Sequence, residues 1–168
     1  MPRVICDSST LIHLTAIGRL GLLEDFYERV TIPIAVWHEV VDEGKGRSGA
    51  LEIEQAQRDG WIEVLEPKDK VLLRLLKQEL HDGEAEVIAL ALEERAEIIL
   101  LDESDARKVA ELFHLRKTGI IGLLIRAKLK GLVVSLRQEL DRLQDEGGFW
   151  IDNELYQQAL RAAGEGGS

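Results

Sequence analysis

Ile98-Ile99-Leu100-Leu101-Asp102 is the stretch of sequence that decides the fold. Four branched apolar residues that stop at a carboxylate are typical of a strand that is buried on both faces. Near the N-terminus, Val4-Ile5-Cys6-Asp7 repeats the pattern. Because parallel strands end at the same edge of a sheet, where ligands of open α/β folds bind, we expect Asp7 and Asp102 to meet there.

Helical patterns alternate with short apolar stretches along the rest of the chain. After Asp7, the hydroxyls of Ser8, Ser9 and Thr10 are candidates to cap a first helix, and Asp82 and Ser104 are candidates to cap two later helices. The alternation predicts a three-layer α/β/α domain with a central, mostly parallel sheet. We expect a single domain over residues 1–163 and a flexible tail over 164–168. The predicted strands cover residues 4–6, 30–32, 61–65, which we place towards an edge, 98–101 and 115–118.

Composition limits the possible classes of protein and of site. With 168 residues, 45% of them hydrophobic, the chain is long enough for one domain with a real core. No apolar stretch is long enough for a membrane span and no signal peptide is recognisable, so we expect a cytoplasmic location. The single cysteine, Cys6, and four scattered histidines argue against a disulfide and a structural zinc site. Any metal would therefore be held by oxygen.

Charge is distributed unevenly. The net charge of −10 argues against a general affinity for nucleic acids. Residues 107–130, however, contain seven cations against one acid, Glu111, which gives this segment a net charge of +6. Two interpretations stay open at this point: solvated faces of amphipathic helices, or a surface that faces phosphates.

Four carboxylates stand out as candidates for chemistry: Asp7, Glu39, Glu84 and Asp102. Each has a simpler explanation on its own, because a strand-end aspartate can cap a turn, an acid can complement a helix dipole, and Glu39 can be solvated. Carboxylates that are brought together repel each other unless a cation neutralises them. Mg²⁺ or Mn²⁺ does this with oxygen ligands and can activate water beside phosphate oxygens, which predicts phosphodiester hydrolysis.

Seven motifs lie in a fixed order along nearly the whole chain. They are Asp7-Ser8-Ser9 after the first strand, Glu39 in Val36-Trp37-His38-Glu39-Val40, residues 83–91 (GEAEVIALA), residues 100–107 (LLDESDAR), Gly119-Ile120-Ile121-Gly122, residues 127–132 (AKLKGL) and Phe149-Trp150-Ile151-Asp152. In this order the motifs resemble the PIN-domain family and, within it, a VapC-like subgroup.

The resemblance implies a metal-dependent endoribonuclease that acts on RNA, typically the toxin of a toxin–antitoxin pair, and often a homodimer. The apolar helix predicted over residues 120–129 suits such an interface as well as it suits a core. It implies an antitoxin protein as partner and Mg²⁺ or Mn²⁺ as cofactor. Carried over by motif, the metal ligands are Asp7, Glu39, Glu84 and Asp102. The last motif leaves open whether Asp105 or Glu103 joins Asp102 in the catalytic set. Where this subgroup often has two adjacent aspartates, this chain has Asp102-Glu103.

Other functions are alternatives at this point. The principal one is a catalytically weak or inactive PIN-like module that binds nucleic acid or an antitoxin peptide. A phosphoryl-accepting receiver domain would need an acid pair near the first strand, whereas Asp7 stands alone there. Dinucleotide binding is disfavoured because no G-x-G-x-x-G follows that strand.

Overall fold

The computed structural model describes residues 3–44 and 47–166. Its centre is a five-stranded, wholly parallel sheet with the strand order β3-β2-β1-β4-β5. Helices flank the sheet, which confirms the predicted three-layer α/β/α architecture and the edge position of β3. The strands are β1 (Val4–Cys6), β2 (Val30–Pro33), β3 (Ile62–Leu65), β4 (Ile98–Leu100) and β5 (Lys117–Thr118).

Ten α-helices connect and cover the described strands. Between α3 and α4 the chain continues as one π-helical turn, His38–Asp42. The helices are α1 (Ser8–Ala16), α2 (Gly21–Tyr27), α3 (Ile34–Trp37), α4 (Ser48–Asp59), α5 (Lys70–Leu76), α6 (Asp82–Glu93), α7 (Ser104–Leu112), α8 (Ile120–Leu129), α9 (Leu136–Asp145) and α10 (Asn153–Ala162).

The core is built around β1, β4 and helix α6. All three residues of β1 are buried, as are Ile99, Leu100 and Leu101 at and after β4. Helix α6 buries seven consecutive residues, 85–91, so it is enclosed on all sides, as expected for a helix with apolar residues around its whole circumference. The pairing of Cys6 with Leu100 aligns the ends of β1 and β4 and brings the two strand-end aspartates to one edge.

Three predicted helix caps were wrong. Asp7, and not the hydroxyls that follow it, caps α1, because a side chain just before the first helical residue can reach the third amide of the helix. Glu103, and not Ser104, caps α7. Asp82 was expected to cap α6, but the helix already includes Asp82, and His81 precedes it without a side-chain cap.

Two other expectations concern the C-terminal third of the chain. The sequence left open whether the apolar face of α8 forms core or interface, and the structure buries Ile120, Leu123, Leu124 and Ala127 in the core. In the predicted tail, the Glu165 carboxylate accepts hydrogen bonds from the amides of Leu136 at 2.5 Å and Arg137 at 3.1 Å. Residues 167–168 lie outside the described residues.

Within the described part of the chain, no helix combines the length and the apolar character needed to cross a membrane.

Candidate active site

Asp7 lies directly after β1 and is only 2% exposed. Its backbone amide donates to the carbonyl of Leu100 at 3.0 Å, which continues the ladder between β1 and β4 by one residue. Its Oδ1 accepts from the amide of Thr10 at 2.8 Å, and its Oδ2 from the amide of Asp102 at 3.3 Å. The helix cap and the strand end thus fix both carboxylate oxygens.

Asp102 lies two residues beyond β4 and is held from two sides. The hydroxyl of Thr10 donates to its Oδ2 at 2.9 Å, and the amide of Ile120, the first residue of α8, donates to its Oδ1 at 3.0 Å. A carboxylate at a helix N-terminus is stabilised by unpaired amides and by the helix dipole. The start of α8 therefore anchors Asp102 at the sheet edge.

Thr10 connects the two aspartates. It is completely buried, and its amide binds Asp7 while its hydroxyl binds Asp102. One residue in the first turn of α1 thus sets the spacing of acids that lie 95 positions apart in the sequence. The sequence pattern identified Thr10 only as a capping hydroxyl, and no local signal could have shown the contact with Asp102.

The two glutamates come from helical segments and not from strand ends. Glu39 lies in the π-helical turn, and such turns occur frequently at functional sites. Glu84 lies in the first turn of α6, where a Cβ atom on the preceding Gly83 would be 3.7 Å from Glu39 Oε2. From the same helix, the buried Glu86 accepts the Ala35 amide at 3.1 Å and holds the start of α3, the helix that leads to Glu39.

These side chains open into one pocket of about 310 Å³ at the carboxyl edge of the sheet. Five carboxylates contribute to its wall, and no lysine or arginine is among its lining residues. The lining residues are Asp7, Ser8, Ser9, Glu39, His81, Gly83, Glu84, Asp102, Glu103 and Phe149. We call this cavity the acidic pocket.

Electrostatic effects in the acidic pocket disfavour negative charge. Burial raises the pKa of Asp7 to about 7, with a further increase from the nearby charge of Asp102, and the hydrogen bonds from Thr10 offset only part of it. Burial also raises the pKa of Glu84, as do the charges of Glu103 and Glu39. Carboxyl groups in a cleft whose pKa is raised by burial and by a neighbouring negative charge are typical of functional sites.

The donor set has the chemistry that a hard divalent cation requires. Carboxylate oxygens are preferred ligands of Mg²⁺ and Mn²⁺, and a cation would offset the burial and the neighbouring negative charges that raise the pKa of Asp7 and Glu84. Across residues 3–44 and 47–166, however, no three His, Cys, Asp or Glu side chains converge in an arrangement that would hold an ion. The pocket therefore suits a divalent cation in the chemical type of its ligand atoms and in the fixed positions of Asp7 and Asp102.

The structure brings Asp7, Glu39, Glu84 and Asp102 to the same pocket but separates Asp105 from it. Asp105 is exposed in the first turn of α7 and is not among the lining residues, whereas Glu103 is. The sequence analysis named Gly119 only as part of a resemblance motif and gave it no role in the site, whereas a Cβ atom there would lie 2.3 Å from Asp102 Oδ1. Its position between a short predicted strand and a predicted helix was a second local signal, but neither signal indicated the contact with Asp102.

A comparison with protein families matches the sequence model of the PIN domain to residues 3–165. The chain belongs to the PIN-domain family. PIN domains are generally nucleases, and they usually use divalent metal ions. A search of curated proteins finds no match to the chain.

Membership in the family gives the geometry a chemical context. In this PIN domain the acidic pocket lies at the carboxyl ends of β1 and β4, where parallel α/β folds bind their ligands. The match spans the strands that end in the two aspartates, helix α6 with Glu84, and helix α8, whose start holds Asp102. The family match therefore includes every element that positions the acidic pocket.

Proposed function

We propose that this protein is an endoribonuclease that hydrolyses phosphodiester bonds of RNA in the acidic pocket with Mg²⁺ or Mn²⁺. The observation that carries the proposal is the pair Asp7 and Asp102, clamped by Thr10 in a pocket whose lining holds five carboxylates and no lysine or arginine. Holding charged carboxylates close together in a partly buried pocket costs free energy, which a bound divalent cation would offset.

In this proposal Asp7 and Asp102 are the principal metal ligands, and Glu39 and Glu84 complete the set directly or through water. A bound cation would supply the positive charge that activates water and neutralises phosphate oxygens during hydrolysis. Thr10 and the Ile120 amide hold Asp102 in place, while Ser8 lines the pocket beside Asp7 and is positioned to orient it or a substrate phosphate.

The experiment compares cleavage of a labelled single-stranded RNA by the wild type and by Asp7→Asn, purified in parallel, with Mn²⁺, with Mg²⁺ and with EDTA. We expect EDTA to abolish cleavage and Asp7→Asn to lower it at least about 100-fold, because a charged metal ligand is lost. The matched control is Asp145→Asn, which removes an exposed carboxylate at the end of α9 and should leave cleavage unchanged.

Cleavage that persists in Asp7→Asn, while circular dichroism shows the same fold, would contradict the assignment of Asp7. Cleavage of equal rate in EDTA would contradict the role of the metal. Replacing the RNA by a DNA of the same sequence tests the substrate class, and preferential cleavage of the DNA would overturn the proposal of a ribonuclease.

The alternative is a PIN domain that binds nucleic acid or an antitoxin peptide without cutting. The lack of a converged three-ligand group among the described residues favours it, as does Glu103 after Asp102. Calorimetric titration with Mn²⁺ separates the two functions. A nuclease should bind the ion in a manner that depends on Asp7, whereas an inactive module should show no such dependence.

We further propose that the protein acts as a VapC-like toxin controlled by an antitoxin, on the strength of the motif resemblance. Induced expression in a bacterial host should then arrest growth, and Asp7→Asn should remove the arrest. Growth that continues while the wild-type protein accumulates would contradict a toxin. The proposed homodimer is tested by sedimentation of the purified chain, where a monomer at micromolar concentration would contradict it.

A further inference from the structure

A second pocket, of about 430 Å³, extends from the starts of β1 and β4 to the end of β5. Val4 and Ile98 in its lining are the first residues of β1 and β4, the strands that deliver Asp7 and Asp102 at their other ends. Its lining is Val4, Phe26, Tyr27, Glu97, Ile98, Arg116, Thr118 and Arg126. We call this cavity the aromatic–arginine pocket.

Arg126 is the central cation of the aromatic–arginine pocket. Its guanidinium lies 4.5 Å from the ring centre of Phe26 and 5.7 Å from that of Tyr27, and it donates to the Tyr27 hydroxyl at 3.0 Å. The side chain is partly buried, yet no carboxylate of the described residues pairs with it. By contrast Arg19, also partly buried, makes two hydrogen bonds to the Glu139 carboxylate.

Two further cations surround Arg126. The Lys130 ammonium lies 5.6 Å from the centre of the Phe26 ring, and Arg116 contributes to the lining. Burial raises the pKa of Tyr27, and the charges of Arg126 and Arg116 lower it, so both guanidiniums act on the same phenol. The only acid in the lining, Glu97, lies 3.9 Å from Arg116 on exposed side chains, an ion pair of little strength.

Only some cations of the basic segment 107–130 lie at the aromatic–arginine pocket. Lys117 is paired with Glu111, Lys128 is paired with Glu165, and Arg107 donates to the carbonyl of Leu101. Only Arg116, Arg126 and Lys130 gather around aromatic rings among the described residues of that segment. A protein with net charge −10 thus keeps a small, positively charged, partly aromatic cavity.

We propose that the aromatic–arginine pocket binds a nucleotide of single-stranded RNA, with the base stacked on the Arg126 and aromatic platform and a phosphate facing Arg116 and Lys130. Guanidinium planes and aromatic rings are the surfaces on which unpaired RNA bases stack. The carboxylates of an acidic peptide would pair with the cations but would not stack on the rings. The site is independent of cleavage and goes beyond the proposed function.

The position of the pocket suits an RNA strand that also reaches the acidic pocket. At about 3.3 Å per residue, the three or four residues between the two ends of β1 and β4 correspond to roughly 10–13 Å along the strands. A short single strand spans that separation. The aromatic–arginine pocket then supplies the affinity for RNA that the acidic pocket, lined by carboxylates, does not supply by itself.

The test measures binding of a fluorescein-labelled oligoadenylate by anisotropy in EDTA, so that cleavage does not interfere. We expect Arg126→Gln and Arg116→Gln each to lower affinity at least about fivefold, as the loss of a stacking or phosphate contact does. For Arg116→Gln we also expect the slope of log affinity against log salt concentration to become shallower by about 0.7, the value for one phosphate contact on a single strand.

The matched control is Arg137→Gln, which removes the same charge and also a cation–π contact, with Tyr156 at 5.8 Å, in a different region of the surface. It should leave affinity unchanged. Because Arg126 is partly buried, circular dichroism of each variant is measured alongside, and the exposed Arg116→Gln keeps the test valid if Arg126→Gln unfolds. Equal losses in Arg116→Gln and Arg137→Gln would show a general charge effect and overturn the proposal.

Competition distinguishes the ligand class. A polyglutamate peptide should displace the oligoadenylate much less well than unlabelled RNA of the same charge, and equal displacement would overturn a nucleotide site in favour of an acidic peptide. Arg116→Gln should lower the affinity for the oligoadenylate more than Asp7→Asn does. A loss in Asp7→Asn that equals or exceeds the loss in Arg116→Gln would place the RNA in the acidic pocket alone and contradict the second site, whatever the outcome of the cleavage assay.

Discussion

Thr10 is the residue on which the spacing of the two aspartates depends. Replacing it by valine keeps its shape but removes the hydroxyl that donates to Asp102 at 2.9 Å. We expect Thr10→Val to lower the free energy of unfolding by about 1–3 kcal/mol, because a partly buried charged acceptor loses a donor. We also expect Mn²⁺ affinity to fall about tenfold, as for partners that orient a metal ligand.

Thr10→Ser is the matched control, since it keeps the hydroxyl and loses only a buried methyl group, worth about 1 kcal/mol. Urea unfolding gives the free energy and calorimetry gives the Mn²⁺ affinity. Serine should retain the affinity of the wild type. Identical affinities in the valine and serine variants would show that the hydroxyl does not hold Asp102 for the metal.

Asp7 makes the stability of the metal-free protein depend on pH. Its pKa is about 7 in the folded protein against an ordinary value of 3.8, so the folded state binds more protons than the unfolded state between these values. The contribution of Asp7 to the free energy of unfolding should therefore fall as pH rises from about 4 to 7 and then level off, with a total change of at most roughly 4 kcal/mol.

The measurement is urea unfolding of the wild type and of Asp7→Asn in EDTA at several pH values. Only the wild type contains the titrating carboxylate, so the difference between the two proteins isolates Asp7. Asp7→Asn should gain stability relative to the wild type as pH rises through this window. A difference that stays constant with pH would show that Asp7 keeps an ordinary pKa.

At the scale of the elements, the start of α8 and the end of β4 fit together only because Gly119 has no side chain. A Cβ atom there would lie 2.3 Å from Asp102 Oδ1 and 3.0 Å from Arg107 Nη1. The backbone angles of Gly119, φ −117° and ψ −174°, are open to any residue, so alanine would introduce a steric conflict without backbone strain. The added methyl group should therefore displace the Asp102 side chain.

We expect Gly119→Ala to fold but to lose at least about tenfold in Mn²⁺ affinity, because Asp102 must leave its position beside the Ile120 amide. Calorimetry and circular dichroism provide the two readouts. Gly21→Ala is the control, since a Cβ atom at the start of α2 would have nothing within 4 Å. If Gly119→Ala bound Mn²⁺ like the wild type, the close approach would have no functional role.

At the scale of the whole molecule, Glu165 near the C-terminus binds the start of α9. Glu165 accepts the amides of Leu136 and Arg137, and the Lys128 ammonium lies 3.5 Å away. Burial raises the pKa of this carboxyl, but the hydrogen bonds and Lys128 outweigh burial and hold it below its ordinary value. Its stabilisation is therefore present at neutral pH and is lost as pH falls through the lowered pKa.

We expect Glu165→Ala to lower the free energy of unfolding at pH 7 by roughly 0.5–2 kcal/mol, the range for losing a helix cap. The Leu136 and Arg137 amides should also exchange hydrogen faster. Glu154→Ala, an exposed acid in the first turn of α10, is the control and should change neither quantity. Unchanged exchange at both amides in Glu165→Ala would show that the C-terminal residues do not hold α9.

The sequence by itself determined the architecture and the four acids that face the acidic pocket. Buried apolar runs that end in Asp7 and Asp102 are local patterns, and parallel pairing of such strands leaves both acids at one edge. Glu39 and Glu84 followed from motifs, and Cys6 was correctly placed in a buried strand. Nothing in the order of residues separated Glu103 from Asp105, because both are polar residues at the start of one helix.

Only the tertiary structure decided how the acids are held and where the cations gather. Thr10 and Asp102 lie 92 positions apart, and Arg126 and Tyr27 lie 99 apart, so their hydrogen bonds depend on how α1, α2 and α8 pack against the sheet. Periodicity reports which face of an element is buried, but it contains no information about which distant side chains meet. Packing therefore gives Thr10 its contact with Asp102 and brings Arg126 of the basic segment to Tyr27 in the aromatic–arginine pocket.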